Sequence, residues 1–451
     1  MTVTVSCKVE KYHTPEVNTT DLFRDTNLTD TVTIADIKWN EYFSDTYLLN
    51  LISDGLKNNY DLKATETRIR QAEAGLAMAR AAYFPDIAIA GTVEQRRVSN
   101  GVRGRDVLGY DSETYSLGIS ASWEADIWGK IAGQKRARYA QFLNSQAYRN
   151  LIQTSLIANI AASYYTLLAM DEQLRITEET ITLLKENTET MEALKEAGTL
   201  NAAAIEQSKA LLNGTMASVP DLKYRIKEIE NTICFLTGRI SGSIERSDIS
   251  KQTVPAGLKY GVPIQMLARR PDIQQAELGF MSAFNLTQAA KASLYPSVTL
   301  RSTSFLGLGT QNTLSDFFKP ENILANIIGG IAQPIFARKQ LSGNLKITKA
   351  QQEEALLMFE KAVLNAGKEV SDILYRYETS TNKNTVRSIQ IQSLATAVEY
   401  TQELLIAGEA NYLEVLNSEQ GLLQARISQT SDKLEQLQTT VNLYKALGGG
   451  Y

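Results

Sequence analysis

The stretch "ARAAYFPDIAIAG", Ala79–Gly91, decides how this chain is read. Pro85 opens a segment in which Ile87, Ile89 and then Val93 alternate with other residues, the period of a strand with one apolar face. Proline sits there at the first strand position, where its missing donor costs least. The stretch also recurs: "AKASLYPSVTLRS", Ala290–Ser302, repeats its pattern with Pro296 in the place of Pro85.

The recurrence extends in both directions. "EADIWGK" (Glu124–Lys130) is echoed by "AQPIFAR" (Ala332–Arg338), and "KEAGTLNAAAIEQSKALL" (Lys195–Leu212) by "LIAGEANYLEVLNSEQGLL" (Leu405–Leu423). Gly198 and Gly408 are separated by the same roughly 210 positions as Gly238 and Gly448. One unit therefore occurs twice, at a period far too long for a solenoid repeat. In its first copy Tyr115, Leu117, Ile119, Ala121 and Trp123 alternate with Ser116, Gly118, Ser120 and Ser122, a second strand. The second copy offers Pro296–Thr310 and Asn322–Pro334 with weaker alternation. Tyr83, Phe84, Trp123, Trp128, Tyr295 and Phe336 gather at one set of strand ends, and Tyr110, Tyr115, Phe317 and Phe318 at the other. Two such belts are what a membrane barrel needs at its two interfaces.

The remainder is helix of unusual length. Gln134–Ala197 has no Gly or Pro, and Asn344–Ala407 has only Gly367. Each stretch of about 64 residues would span roughly 95 Å as a helix, far beyond the usual globular length. Leu143, Ala147, Leu151, Ala158, Ala161 and Leu168 follow 3/4 spacing, as do Leu413, Leu416, Leu423, Leu434, Leu437, Val441 and Tyr444. These are core stripes of coiled-coil packing.

Composition removes other classes. Of 451 residues 43% are hydrophobic, and the net charge of −4 provides no basic footprint for nucleic acid. Mean hydropathy is −0.20, and no apolar run reaches the roughly 18 residues of a membrane helix. That excludes helical membrane spans and leaves a β-barrel open. The only histidine is His13, and no phosphate-binding glycine loop or Cys/His metal spacing occurs. An enzyme is not expected, nor a cofactor or metal. Cys234 reads as a small core residue. Cys7, almost at the start, is either the lipidated first residue of a mature lipoprotein or incidental.

Four amphipathic strands cannot close, since membrane barrels start at about eight. An edge open to lipid leaves backbone groups unpaired at several kcal/mol each, so copies must associate. Two copies make eight strands with a filled interior; three make twelve with a lumen. The small, polar inward residues Gly118, Ser120 and Ser122 favour the hollow trimer over the dimer.

"LARRPDIQQAE" (Leu267–Glu277), followed by "AAKASLYPSVTL", resembles the TolC-like outer-membrane factors of Gram-negative tripartite efflux systems, especially their lipoprotein branch. "SWEADIWGK", "AGEANYLEVLNSEQGLL" and "WNEYFSDTYLLNLISDGLKNNYDLKATETRIRQAEA" match that branch too, and the resemblance covers essentially the whole chain. It implies an α+β fold of two tandem repeats, assembled as a homotrimer with a twelve-stranded barrel in the outer membrane and a periplasmic α-helical barrel. The implied function is a passive exit duct for small molecules, fed by a periplasmic adaptor and an inner-membrane pump of the resistance–nodulation–division type. In "CKVEKYHTPEV" it implies lipidation of Cys7 and a lipid-anchored protein. The "RRPD" motif reads as structural: Pro271 suits a first helical position and Asp272 the positive helix start.

On this reading the chain divides into an N-terminal extended segment (7–43), a first repeat (44–240), an equatorial linker (241–261) and a second repeat (262–451). The first repeat has strands near 85–98 and 114–126 and helices near 130–197 and 201–237. The second has strands near 296–310 and 322–334 and helices near 338–407 and 411–447. Transferred by position, the periplasmic tips contact the adaptor through Gly198, Thr199, Leu200, Gly408, Glu409 and Ala410. The gate maps to Leu413, Glu414 and Asn417, on one face by i, i+3/i+4 spacing. In a trimer each becomes a ring: acids hold cations, and leucines block by dewetting. The chain departs from the family at Asn417 and Ala204, where relatives commonly carry acids, so one charged ring and one latch partner are missing. Two other readings share much of the pattern: a coiled-coil scaffold without a lumen, and the outer-membrane channel of a type I-like protein or peptide secretion system.

Overall fold

The computed structural model describes residues 10–17, 22, 38–96, 112–196, 198, 201–253, 269–310 and 317–449. Cys7, Tyr110, Thr199 and Leu200 lie outside them. The helices are α1 (Trp39–Tyr42), α2 (Thr46–Asn58), α3 (Tyr60–Ala81), α4 (Lys130–Glu196), α5 (Ala202–Leu236), α6 (Pro271–Ala292), α7 (Gln340–Ile406) and α8 (Tyr412–Ala446). The strands are β1 (Asp86–Arg96), β2 (Ser112–Ala125), β3 (Ser297–Thr310), β4 (Ile323–Leu324) and β5 (Ile328–Ala332). This α+β arrangement forms two compact units. The first comprises Met1–Glu16, Arg68–Gln146 and Gln275–Phe359, and the second Val17–Thr67, Ala147–Gln274 and Glu360–Tyr451.

The first unit holds the sheet. β1 pairs with β2, β2 with β3, and β3 with both β4 and β5, all antiparallel. The register stacks apolar residues on one face: Ile89 opposite Ile119 opposite Leu306, Leu117 opposite Leu308 opposite Ile323, Trp123 opposite Leu300, Val298 opposite Ile331. The other face carries Ala90, Gly118 and Gly307, and Thr92, Ser116 and Gly309. The apolar face is bare, with Ile89 79% and Ile331 75% exposed. One difference from expectation concerns the last strand. The sequence between Asn322 and Pro334 predicts one strand, yet residues 325–327 interrupt it, and Asn322 closes a short 3₁₀ turn that starts at Pro320. The break falls on Ala325–Ile327, where the Ser302 hydroxyl, in place of a strand amide, donates to the Asn326 carbonyl, and pairing resumes through Gly329 and Gly330 of β5.

Helix starts beside the sheet are fixed by local chemistry. Asp126 accepts from the amides of Ile131 (2.9 Å) and Ala132 (2.7 Å) at the start of α4, satisfying donors that a helix N-terminus leaves free. The Trp128 indole donates to the Pro296 carbonyl (2.7 Å) and stacks on Tyr295. Trp123 donates to the Tyr83 carbonyl (2.8 Å). The N-terminal segment lies along α6: Tyr12 packs on Phe280 and Phe284, Thr14 donates to Glu277 (2.6 Å), and Glu10 meets Lys291 (3.4 Å).

The second unit buries the main core, in which α2, α4, α5 and α8 contribute Leu48, Ile52, Ile157, Ile160, Tyr164, Leu167, Ile233 and Leu437. Cys234 is buried there as expected. Residues 39–42, expected as extended chain, form the helical turn α1, and Tyr42 stacks on Tyr444 at 4.5 Å. Gly367, in the middle of α7, sits against the N-terminal segment: a Cβ there would lie 2.9 Å from the Leu22 carbonyl oxygen. In the RRPD motif, Pro271 does open α6. Arg270 does more than flank it, since its buried guanidinium pairs with Asp272 (2.8 Å) and Glu369 (2.6 Å) and donates to the Ala446 carbonyl (2.8 Å). It thereby joins the start of α6 to α7 and to the end of α8, whose last carbonyls need donors.

Asp45 is the polar centre of this core. Its carboxylate caps α2 by accepting from Tyr47 (2.9 Å) and Leu48 (3.4 Å), and it also accepts from Tyr164 (2.8 Å), Gln252 (2.6 Å) and Ser247. Burial pushes its pKa up, but the bonds from Ser247, Tyr164 and Gln252 outweigh burial and hold it below the ordinary value. A depressed folded pKa means the stabilisation is present above the unfolded value of about 3.9 and is lost as pH falls through the lower folded one. Asp45→Ala is expected to cost about 2–3 kcal/mol by loss of cap and charged hydrogen bonds. In thermal melts followed by helical circular dichroism, Asp45→Asn should be less stable than wild type near neutrality and should lose less stability on acidification.

Candidate functional site at the helical tip

Both long helices end in the same way. Gly198 and Gly408 have φ of 78° and 76°, the left-handed conformation that glycine adopts without a Cβ penalty. No atom lies within 4 Å of a Cβ built on either, so the backbone angle alone calls for glycine. After α7, Gly408 N–H donates to Leu405 O (3.1 Å) and Glu409 N–H to Leu404 O (2.9 Å), the paired bonds of a Schellman cap. Asn411 then caps α8 by accepting from Leu413 N (3.2 Å), as Asn201 caps α5 by accepting from Ala204 N (3.0 Å). Each turn is thus a glycine stop followed within three residues by an asparagine start.

Below the turns lies a small core. Met191 of α4, Ala204 and Ile205 of α5 and Tyr412 of α8 are buried together, with Leu405 and Leu416 packed against them. Ala204, noted above as a departure from the family, is therefore a packing residue. Thr188 and Ser208 share a hydrogen bond of 2.7 Å at its margin. Glu419 enters from α8 and accepts from Asn187 of α4 and from Gln402 of α7 (3.1 Å). Burial raises its pKa above the ordinary value, against the opposing effect of the two amide donors.

Leu413, Glu414 and Asn417 are brought together on the exposed side of the first turns of α8, while Tyr412 and Val415 on the other side are buried. Leu413, 44% exposed, thereby leaves the apolar stripe assigned to it; Leu437, Val441 and Tyr444 of the same stripe are buried. Gly198, Gly408 and Glu409 are exposed and Ala410 partly so. Thr199 and Leu200 are outside the described residues. The helical-period reading found this face but missed Asn201, Asn411, Tyr412 and Glu419. The caps were detectable as asparagines preceding each restart. Glu419 carried no signal, because its partners are 232 and 17 positions away.

The described part of the tip offers an exposed face carrying one leucine, one acid and one amide. Among the described residues no three His, Cys, Asp or Glu side chains gather to hold a metal. Among the described residues no helix is long and apolar enough to cross a membrane.

The family model "Outer membrane efflux protein" matches residues 51–239 and 262–449, one match in each half of the chain. The cation efflux system protein CusC of Escherichia coli is 27% identical over 415 residues, 92% of this chain and 88% of that one. The toluene efflux pump outer membrane protein TtgC of Pseudomonas putida is 28% identical over 441 residues, 93% of this chain and 86% of its own. The open state of the MtrE outer membrane channel of Neisseria gonorrhoeae superposes with a TM-score of 0.85 over 98% of each chain, at 23% identity.

Asn411→Ala is expected to destabilise the tip by about 1 kcal/mol through loss of the cap. Amide exchange at Leu413 should quicken, with Asn411→Asp close to wild type.

Proposed function

This chain belongs to the outer membrane efflux protein family, and on that premise we propose that it is the exit duct of a tripartite efflux pump, passively conducting small molecules to the cell exterior. Members of the family are channels rather than enzymes, and the protein is one of the outer membrane. The single observation that carries the duct reading is the sheet: one face apolar and bare, the other small and polar, and, among the described residues, no partner beyond β1 or beyond β4 and β5. In water such a face invites association; in lipid it is the required outer surface, and the edges must be paired.

A homotrimer satisfies that demand with twelve strands around a lumen. It is supported by α7, where Leu364, Tyr375, Val386, Ile389, Tyr400 and Leu404 are exposed at spacings of 11, 3 and 4. These fall on one helix face about 60 Å long, an apolar stripe of the kind that packs on another helix. The proposed partition is the one read from sequence: extended N-terminal segment, two repeats and a linker. Cys7 carries the lipid. The segment Glu10–Thr14 runs antiparallel along α6, its earlier end beside Lys291 and so toward the start of β3. That direction leads a lipid toward the bilayer.

The gate is the ring of Leu413, Glu414 and Asn417, and the turns with Gly198, Thr199, Leu200, Gly408, Glu409 and Ala410 receive a periplasmic adaptor that bridges to an inner-membrane pump of the resistance–nodulation–division type. With asparagine at 417, one acidic ring per trimer remains, at Glu414, so cation selectivity is weaker than in a doubly acidic gate.

In planar bilayers the purified protein should conduct as a trimer by native mass, and joint replacement of Leu413, Glu414 and Asn417 by Ala should raise its resting conductance. Unchanged conductance moves the constriction elsewhere. Cross-linked pull-down from cells should capture an adaptor together with a proton-driven pump; a peptide-processing ABC exporter in its place would establish the secretion reading instead.

A further inference from the structure

We propose that Glu419 is a proton-operated tie across the tip: protonated, it holds α4, α7 and α8 tightly together, and ionised, it loosens them. The geometry is a carboxyl more buried than exposed, set between two helices that present only neutral amides, Asn187 and Gln402. Both amides donate to the same oxygen, Oε1. A proton on Oε2 therefore leaves both bonds in place and removes only the buried charge, whose desolvation the two amides offset only in part.

The surroundings supply no counter-charge. Among the described residues no Lys or Arg pairs with Glu419, and the titratable group coupled to it is Tyr412, on the same helix, whose own hydroxyl bonds to Ser208 of α5. On α4 and α7 the neighbouring Glu186, Glu189, Glu399 and Glu403 are exposed to solvent. Lys209 of α5 is engaged by Glu192 of α4 at 2.8 Å. A carboxyl whose folded pKa is raised stabilises the packed state fully below its unfolded pKa, and that contribution is lost as pH rises through the folded one. The tie thus tightens in acid and slackens toward neutrality, opposite in sign to Asp45. Glu419 lies on α8 below the exposed face of Leu413, Glu414 and Asn417. A consequence for conductance rests on the gate reading above; the tie itself does not.

The test is hydrogen exchange of tip peptides in the full-length protein, corrected for intrinsic rates, from about pH 4, near the unfolded carboxylate value, to about pH 8. Wild-type protection around residues 398–420 should fall with rising pH, by up to about tenfold for each unit that the folded pKa exceeds the unfolded one. Glu419→Gln should hold the protection high and flat, because it keeps an acceptor without a charge. Asn187→Ala, which removes one donor, should lower protection on the acid side. Flat wild-type protection, or a Glu419→Gln protein that titrates like wild type, overturns the proposal. Bilayer conductance recorded at the same pH values separates the two readings: protection that titrates beside conductance that does not upholds the tie and overturns its coupling to the gate.

Discussion

Backbone hydrogen bonding in the absence of water is the constraint on which this protein depends. In hydrocarbon each unpaired amide or carbonyl costs several kcal/mol, so a sheet must end in another strand. Here β1 stands at one edge and β4 and β5 at the other, and the register puts every large aliphatic pair on a single face. The chain thus carries a fragment of a barrel, with the apolar surface already complete and the closure left to copies. The internal duplication supplies two strand pairs per chain, which is why three copies suffice for a proposed lumen while one cannot approach it.

The helical parts obey a different economy of contacts. Four helices share one apolar core around Tyr164 and Ile233, and polar groups inside it are each held by several partners. Asp45 joins a helix cap, a buried tyrosine and the segment around Ser247–Gln252. Arg270 joins three helices through two carboxylates and a terminal carbonyl. Such groups stabilise only while fully partnered, and they fix which helices meet. Glu419 differs because its partners are neutral amides, which offset only part of the cost of burying its charge. The same physical rule that makes Asp45 acid-labile makes Glu419 acid-tightened, with the difference lying in the balance of hydrogen bonds against desolvation.

Function follows from these surfaces rather than from any pocket. A duct needs no reactive group, and the tip provides a small, ordered face carrying one leucine, one acid and one amide. Its two turns share a left-handed glycine and a capping asparagine, which fix where each helix stops and the next one starts.

Much was legible from sequence because the relevant patterns are periodic or local. The period-2 alternation around Ile87 and Tyr115, the glycine-free runs and the duplication at about 210 residues determined strands, long helices and two repeats. Gly198 and Gly408 announced the turns, since only backbone angle is at stake there. What sequence left undecided concerns contacts between distant positions. The break of the last strand at residues 325–327, the exposure of Leu413 against the burial of Tyr412, the seat of Leu22 on Gly367 and the reach of Arg270 to Ala446 all depend on which helix or strand arrives from elsewhere. Glu419 makes the point most directly: in the sequence it is one of many helical glutamates, and only the packing of α4 and α7 against it removes its water and raises its affinity for a proton.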